Sequence, residues 1–409
     1  MTSAWSGASL RREHAAWLIF LVSVCVMPFS LGASRIAAMI SAILVVQYSF
    51  DEARRIRFPL TAWLWAAFFL LAIPVTYLGI DPDTGVRKLD KLAWFFIIPL
   101  SATLVNSERR QTDVLLALAV GMVVLTLRQW VSAPLEAWNL VRTEVVETWM
   151  DGMIKIGSMT HAQRFVVGIL LAVAWVTSAC TQVRSRRWFM ALLLLCGTGL
   201  LMSFKRGSWM CAIIAAGALL VGRAGRKGFL LLVLAVLSLW FVPPVRSRLE
   251  GLRDEFQEGR GGRMYMWTQL APAMARDYPE GIGWYSMSSD FMREYGPDVE
   301  PNRNHLHSNL FQIRVEMGWL GFAFYVAWMS KALLDALGFL VFARGPDQRA
   351  ARFILFALFA LMLNGLVEYN FGDGEIVLLY GLLMGCAAAG LRRSIAFETN
   401  TGIPAAAPG

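Results

Sequence analysis

Two of the chain's four histidines stand two residues apart, in Asn302-Arg303-Asn304-His305-Leu306-His307-Ser308-Asn309, directly before an apolar run. A neutral imidazole accepts a proton or a hydrogen bond from a hydroxyl. The positive end of a helix dipole would favour that neutral form in a first helical turn. An Asn-rich stretch before an apolar run is also a helix-capping signal, so a wet, capped helix start explains the same residues without chemistry. A second group is Ser203-Phe204-Lys205-Arg206-Gly207-Ser208, set between two apolar runs. An arginine at a membrane boundary needs a partner, a water-filled cavity or an anionic ligand, unless it snorkels to headgroups. The third is Gly259-Arg260-Gly261-Gly262-Arg263, with Trp267 one helical turn on. Glycine lets backbone approach a ligand, and arginine forks onto phosphate oxygens; a flexible basic link has the same composition. Asp81-Pro82-Asp83 has the form of a metal-holding carboxylate pair, but Asp-Pro in a short loop reads first as a simple turn. Glu316 is placed to pair locally, and Lys331 and Asp335 are four apart, as a helical ion pair requires. His14 and His161 read as interfacial or loop residues. The five cysteines lie within apolar runs without metal-ligand spacing, and they read as small core residues. No metal or cofactor is expected.

The elements that carry these residues follow from composition. Of 409 residues, 57% are hydrophobic and 16% charged. Soluble domains run at about 45–50% apolar and about 25% charged. A soluble enzyme, a secreted disulfide scaffold and a disordered chain are excluded, leaving an all-α, polytopic integral membrane protein. About twelve spans are expected, near 15–32, 36–50, 60–80, 92–105, 114–127, 165–183, 188–204, 209–222, 229–242, 316–340, 353–367 and 376–391. Alternate short connections carry Arg11 and Arg12; Arg54, Arg55 and Arg57; Arg109 and Arg110; Arg184, Arg186 and Arg187; Arg223, Arg226 and Lys227; Arg344, Arg349 and Arg352; and Arg392 and Arg393. The positive-inside rule puts these, and both termini, in the cytoplasm. The net charge of +9 is then anchoring charge and does not imply nucleic acid. Two long connections, 128–164 and 243–315, fall on the outer side. The larger is the only segment big enough to be a domain, and Leu249, Leu252, Phe256 and then Met264, Trp267, Leu270, Met274 suggest two amphipathic helices in the outer interface. The expected organisation is therefore 1–242 with nine spans, 243–315 as the outer loop, 316–393 with three spans, and 394–409 as a disordered cytoplasmic tail.

In register, these pieces resemble the O-antigen ligase and polymerase superfamily. His307-Ser308, nine further residues and Gly318-Trp319-Leu320-Gly321 resemble its His-x10-Gly-x-x-Gly signature. Pro279-Glu280-Gly281-Ile282-Gly283 resembles its Pro-x-Gly-x-Gly stretch, Arg263 the arginine before it, and Lys205-Arg206-Gly207 its Ser-Arg-Gly hairpin, with Lys205 where serine is common. The resemblance implies a GT-C-like glycosyltransferase of the bacterial inner membrane. It would move O-antigen glycan from undecaprenyl diphosphate to lipid A-core on the periplasmic face, without metal and by an inverting route. It casts His307 as the catalytic imidazole. Arg206, Arg263, Lys205 and Arg260 become diphosphate ligands, with His305, Arg303 and Trp267 as secondary candidates. An O-antigen polymerase or an O-linked oligosaccharyltransferase shares the motif. A transporter of lipid-linked glycan is the rival of another class, disfavoured by polar groups clustered at one boundary and by the lack of internal symmetry.

Substitution separates the two imidazoles. His307→Ala is expected to lose turnover while keeping donor binding. A dead His305→Ala beside a normal His307→Ala, in the same glycan-transfer assay, would move the role by two residues.

Overall fold

The computed structural model describes residues 2–51, 55–178, 181–241, 246, 262–297, 299 and 303–401. Arg260 and the expected amphipathic helix at 249–256 lie outside them. Every regular element among the described residues is helical. In chain order these are α1 (Thr2–Val26), α2 (Leu31–Asp51), α3 (Leu60–Tyr77), α4 (Pro82–Ala93), α5 (Ile97–Leu104), α6 (Glu108–Arg142), α7 (Trp149–Ile156), α8 (Met159–Val176), α9 (Val183–Met202) and α10 (Arg206–Trp240). A turn of helix from Arg263, a π turn (Met266–Leu270) and Ala271–Asp277 run on as α11. They are followed by α12 (Ser289–Tyr295), α13 (Asn309–Phe342), α14 (Asp347–Val367) and α15 (Gly374–Thr401).

Eight of the described helices are long and apolar enough to cross a membrane: α2, α3, α6, α8, α10, α13, α14 and α15. Their outer faces stay apolar: Ile43, Trp63, Leu70, Val120, Leu230 and Leu334 are all exposed. A face like this suits lipid, because hydrocarbon is as good a solvent for leucine as another helix is. The chain is a polytopic, all-α membrane protein. Two expected spans, 209–222 and 229–242, are the arms of α10, which folds back at Gly225 (φ 51°, ψ −130°). A Cβ at Gly217 would meet Leu232, and one at Gly228 the backbone of Leu220, so the arms pack closely. Over the expected span at 92–105 the chain forms the end of α4, a 3₁₀ turn at Trp94–Phe96 and the eight-residue α5, which is not one of the eight long apolar helices.

The expected outer connection 128–164 is mostly helix instead. α6 continues to Arg142 because Gln129, Ala133 and Ala137 keep a buried stripe at helical spacing, through Pro134. Asp81-Pro82-Asp83 is a helix start: Asp81 caps α4 by accepting from the Thr84 N–H (3.1 Å), with proline in the first turn. The Lys331–Asp335 ion pair forms as its spacing predicts, and Thr61 also donates to the carboxylate.

The long core runs through the bundle. A second, smaller core gathers Met266, Leu270 and Met274 of α11 with Ile282, Phe291, Met292, Leu306 and Val315. What joins this cap to the bundle is a strap, Pro279–Gly283, stitched to a break in α13. Helix α13 is interrupted at Gly318 (φ 67°, ψ −170°). The interruption diverts the Val315 and Glu316 carbonyls to the N–H groups of Ile282 (3.0 Å) and Gly283 (3.0 Å), while Trp319 N–H donates to the Pro279 carbonyl (3.3 Å). Both glycines are required here. A Cβ at Gly281 (φ 102°) would stand 2.4 Å from the Glu316 oxygen, and one at Gly318 would stand 2.4 Å from the Glu280 carbonyl carbon. The Pro-x-Gly-x-Gly and Gly-x-x-Gly stretches are thus two halves of one joint.

Gly318→Ala is expected to lower the thermal unfolding temperature in detergent clearly. The glycine-only backbone region costs other residues about 1–3 kcal/mol, before any clash. Gly207→Ala, whose Cβ would have only ordinary contacts, serves as the reference. Equal unfolding temperatures for the two variants would show that the joint tolerates a side chain.

Candidate active site

Four separate stretches converge on a 370 Å³ cleft lined by Lys205, Arg206, Arg263, Arg303, His305, His307 and Glu368, with Met159 and Phe204. The α9–α10 turn delivers Lys205 and Arg206. Phe204 takes a left-handed backbone (φ 53°) to close it, and Trp209 Nε1 donates back to the Leu200 carbonyl (2.8 Å). Arg206 is 8% exposed, a buried cation at the head of a membrane helix. Arg263 starts α11. It donates to the Val367 carbonyl (2.7 Å) and forms an ion pair with Glu368.

His307 also has a left-handed backbone (φ 49°), an uncommon state for a side chain this large. The strand before it is pinned: Leu306 N–H donates to Gln312 Oε1 (2.7 Å), and Trp267 Nε1 donates to the Leu306 carbonyl (2.7 Å). Trp267 stacks on Phe311 behind the cleft, so this candidate residue positions His307 and does not line the cavity. His307 was expected in the first turn of its helix. It lies instead just before the N-cap Ser308, whose hydroxyl makes no cap hydrogen bond. The residue that ties the helix start down is Asn309. Its Oδ1 accepts from the N–H groups of Asn370 (3.0 Å) and Phe371 (3.2 Å), and its Nδ2 donates to Asn370 Oδ1 (2.7 Å).

That stitch sets Glu368 beside the imidazole. His307 Nδ1 lies 3.0 Å from Glu368 Oε2, and Arg303 Nη1 contacts His307 Nε2. A guanidinium only donates, so Nε2 is the accepting nitrogen, and Nδ1 carries the hydrogen that the carboxylate accepts. Burial pushes the Glu368 carboxyl up, but the His307 hydrogen bond and the charges of Arg263 and the two histidines outweigh it. The net shift is below the ordinary value, and the group is an anion at neutral pH. His305 lies with its ring 4.2 Å from that of His307, its Nδ1 2.9 Å from Asn304 Oδ1. Burial, then the neighbouring His307, lower His305 to about 4. Its ring is neutral at pH 7.

Sequence reasoning found the cations and imidazoles but missed Glu368. That residue is 61 positions after His307, at the end of an apolar run, with no local motif to mark it. The nearby signal was Glu368-Tyr369-Asn370, polar residues closing an otherwise apolar helix. His305, His307 and Glu368 hold ligand atoms within 4.8 Å of one another, the spacing of a metal site. The chemistry around them suits a cation poorly. Arg263 occupies one Glu368 oxygen, Arg303 occupies Nε2, and four cationic side chains line the same wall. With four cations and one carboxylate among its described lining residues, the cleft suits an anionic ligand.

Residues 189–326 match the model of one protein family, described as O-antigen ligase. The match takes in Arg206, Arg263 and His307 and ends before Glu368. No curated protein matches the chain.

A neutral His305 contributes stability that is complete above its free value of 6.5 and is lost as pH falls towards about 4, because the unfolded chain takes up the proton first. Glu368, held low, loses its contribution further down, as pH falls through its depressed range. The unfolding temperature in detergent is therefore expected to fall from pH 6.5 downwards, and His305→Asn is expected to flatten the upper part of that decline. An unchanged slope in His305→Asn would remove His305 from this account.

Proposed function

With residues 189–326 assigned to the O-antigen ligase family, we propose that the chain transfers O-antigen glycan from undecaprenyl diphosphate to lipid A-core. The observation that carries this reading is the His307–Glu368 pair set among Lys205, Arg206, Arg263 and Arg303 in one cleft. The acceptor hydroxyl oxygen attacks the anomeric carbon. The bond to the diphosphate breaks, its electron pair leaves with the lipid diphosphate, and the hydroxyl proton passes to His307 Nε2. Glu368 holds the ring in the right tautomer and balances the imidazolium that forms. Arginines neutralise the charge growing on the leaving group, a role that needs no metal. Attack in a single displacement inverts the anomeric centre.

Two details refine the residue roles. Arg303 Nη1 covers His307 Nε2. A bound diphosphate draws that guanidinium away and frees the accepting nitrogen, so donor binding switches the base on. Arg263 is engaged by Glu368 and the Val367 carbonyl, so it sets the carboxylate while lining the cleft that would take the donor. Arg206 and Lys205 are the direct diphosphate ligands, and Arg260, which lies outside the described residues, is proposed as a further one.

The full arrangement has about twelve spans, both termini in the cytoplasm of a bacterial inner membrane and the cleft on the periplasmic face. What supports it is the separation of charge. Arg393 reaches the Val105 carbonyl (2.9 Å) and Asp347 (3.1 Å), and Arg349 reaches Thr181 (3.4 Å), so the basic connections converge at one end of the bundle. The helix ends that carry the cleft, the starts of α8, α10 and α11, the approach to α13 and the end of α14, lie at the other.

The test incubates purified protein with lipid-diphosphate glycan and lipid A-core, in chelator. Joined product is expected; longer lipid-linked glycan instead would make the chain a polymerase, and no product from a competent donor would count against both. Glu368→Gln is expected to lose about 10²-fold in turnover or more, as lost general-base support does. Arg206→Ala should weaken donor capture and turnover together, with Arg206→Lys a partial rescue because lysine lacks the fork.

A further inference from the structure

Behind one wall of the cleft lies a second hollow of 340 Å³, within the size range of small-ligand sites. The wall is thin and shared. In the first turns of α8, Met159 faces the cleft while His161 and Arg164 line the hollow. In the connector from α14 to α15, Glu368 faces the cleft and Glu375 lines the hollow. Thr160 clamps the two parts of the wall together by donating to Asp373 Oδ2 (2.7 Å). The hollow therefore opens at the same end of the bundle as the cleft.

Its lining is built for a polar ligand. Arg164 is 3% exposed, and its guanidinium is fixed by the Thr160 carbonyl (3.2 Å) and the Pro28 carbonyl. Gln129 is 5% exposed and lines the hollow, yet no hydrogen bond reaches its amide among the described residues. The amide faces the hollow, where a hydrogen-bonding ligand can meet it. Arg128 and Glu136 stand at the more exposed side, with Ser132 between them on α6. Phe29, Leu125 and Ile156 supply an apolar patch.

The charge pattern selects the ligand. A phosphate would meet Glu136 and Glu375, and a cation would meet Arg128 and Arg164. A ring rich in hydroxyls uses both sets, since each hydroxyl donates to a carboxylate or amide oxygen and accepts from a guanidinium, and its C–H face suits Phe29. We infer that this hollow seats a neutral sugar ring of one of the two glycolipids, next to the residue being joined. The inference rests on the glycosyl-transfer reading of the cleft, and it adds a saccharide-recognition site formed by α6, α8 and the start of α15.

The test uses the full chain in detergent, with Gln129→Met and Glu375→Gln, neither of which belongs to the catalytic cleft. The probes are two lipid-free oligosaccharides, one released from the donor and one from the acceptor, read by saturation-transfer NMR. Transfer kinetics are measured in parallel with each intact glycolipid varied in turn. Both variants are expected to keep the wild-type unfolding temperature and kcat, and to raise KM for one glycolipid by about tenfold, the scale of a lost hydrogen bond or two. The oligosaccharide whose NMR signal weakens identifies whether the ring belongs to donor or acceptor. Wild-type transfer with KM and NMR signals unchanged in both variants would overturn the inference while leaving the proposed reaction intact. Wild-type protein that transfers nothing would overturn the reaction, and the NMR arm alone would then decide the hollow: signals lost in the variants uphold it, and signals unchanged or absent in the wild type overturn it.

Discussion

A single carboxylate governs the cleft. Glu368 is buried at the end of α14, with one oxygen on Arg263 and the other on His307. Removing a charge from water costs several kcal/mol, and a buried carboxylate persists only when its partners return that energy. Here the return comes from a guanidinium and an imidazole N–H, which fixes the tautomer of the ring and leaves Nε2 as the accepting atom. Arg263 reinforces this by stabilising the anionic form of Glu368. His305 is pushed to about 4 by burial and then by the neighbouring His307.

Holding that carboxylate in place requires two helices to meet end to end. Asn309, at the start of α13, grips Asn370 and Phe371 just after the end of α14. Asn370 in turn donates to Gln163 of α8 (2.9 Å) and to the Leu361 carbonyl (3.0 Å). Inside a membrane bundle such amide networks are worth more as positioning devices than as sources of stability, since mutational cycles give only about 0.6 kcal/mol apiece on average. The strap at Pro279–Gly283 serves the same end from the other side. By taking over the carbonyls freed at Gly318, it docks the small cap core onto the bundle, and the cap carries Arg263, Trp267 and the stretch that ends in His307.

Much of the architecture was legible because the hydrophobic pattern in a membrane protein must satisfy lipid along each helix separately. The apolar runs at 60–80 and 353–367 therefore became α3 and α14, and the run at 376–391 became α15, which continues as helix to Thr401 and so takes in 394–401 of the tail expected to be disordered. Where the pattern misled, the reason was amphipathicity: the continuation of α6 past Arg128 buries only one stripe, and a scan for uniformly apolar runs stops there. The π turn at Met266–Leu270 likewise leaves no mark in average hydropathy, whereas the fold-back at Gly225 falls in the polar gap between the expected spans 209–222 and 229–242.

For the site, residue type and local spacing determined which side chains could bind an anion or take a proton. Lys205-Arg206, Arg263 and His305-Leu306-His307 announce themselves because cations and imidazoles beside apolar runs need a reason to be there. Only the tertiary structure decided which of them meet. It moved Trp267 from the cleft to a supporting place behind it, put His307 ahead of its helix, and added Glu368 from a different helix. Long-range pairing of this kind depends on how helix ends are stacked in space. That stacking comes from packing and from a few buried amide hydrogen bonds between residues far apart in the chain, a relation that no local spacing encodes.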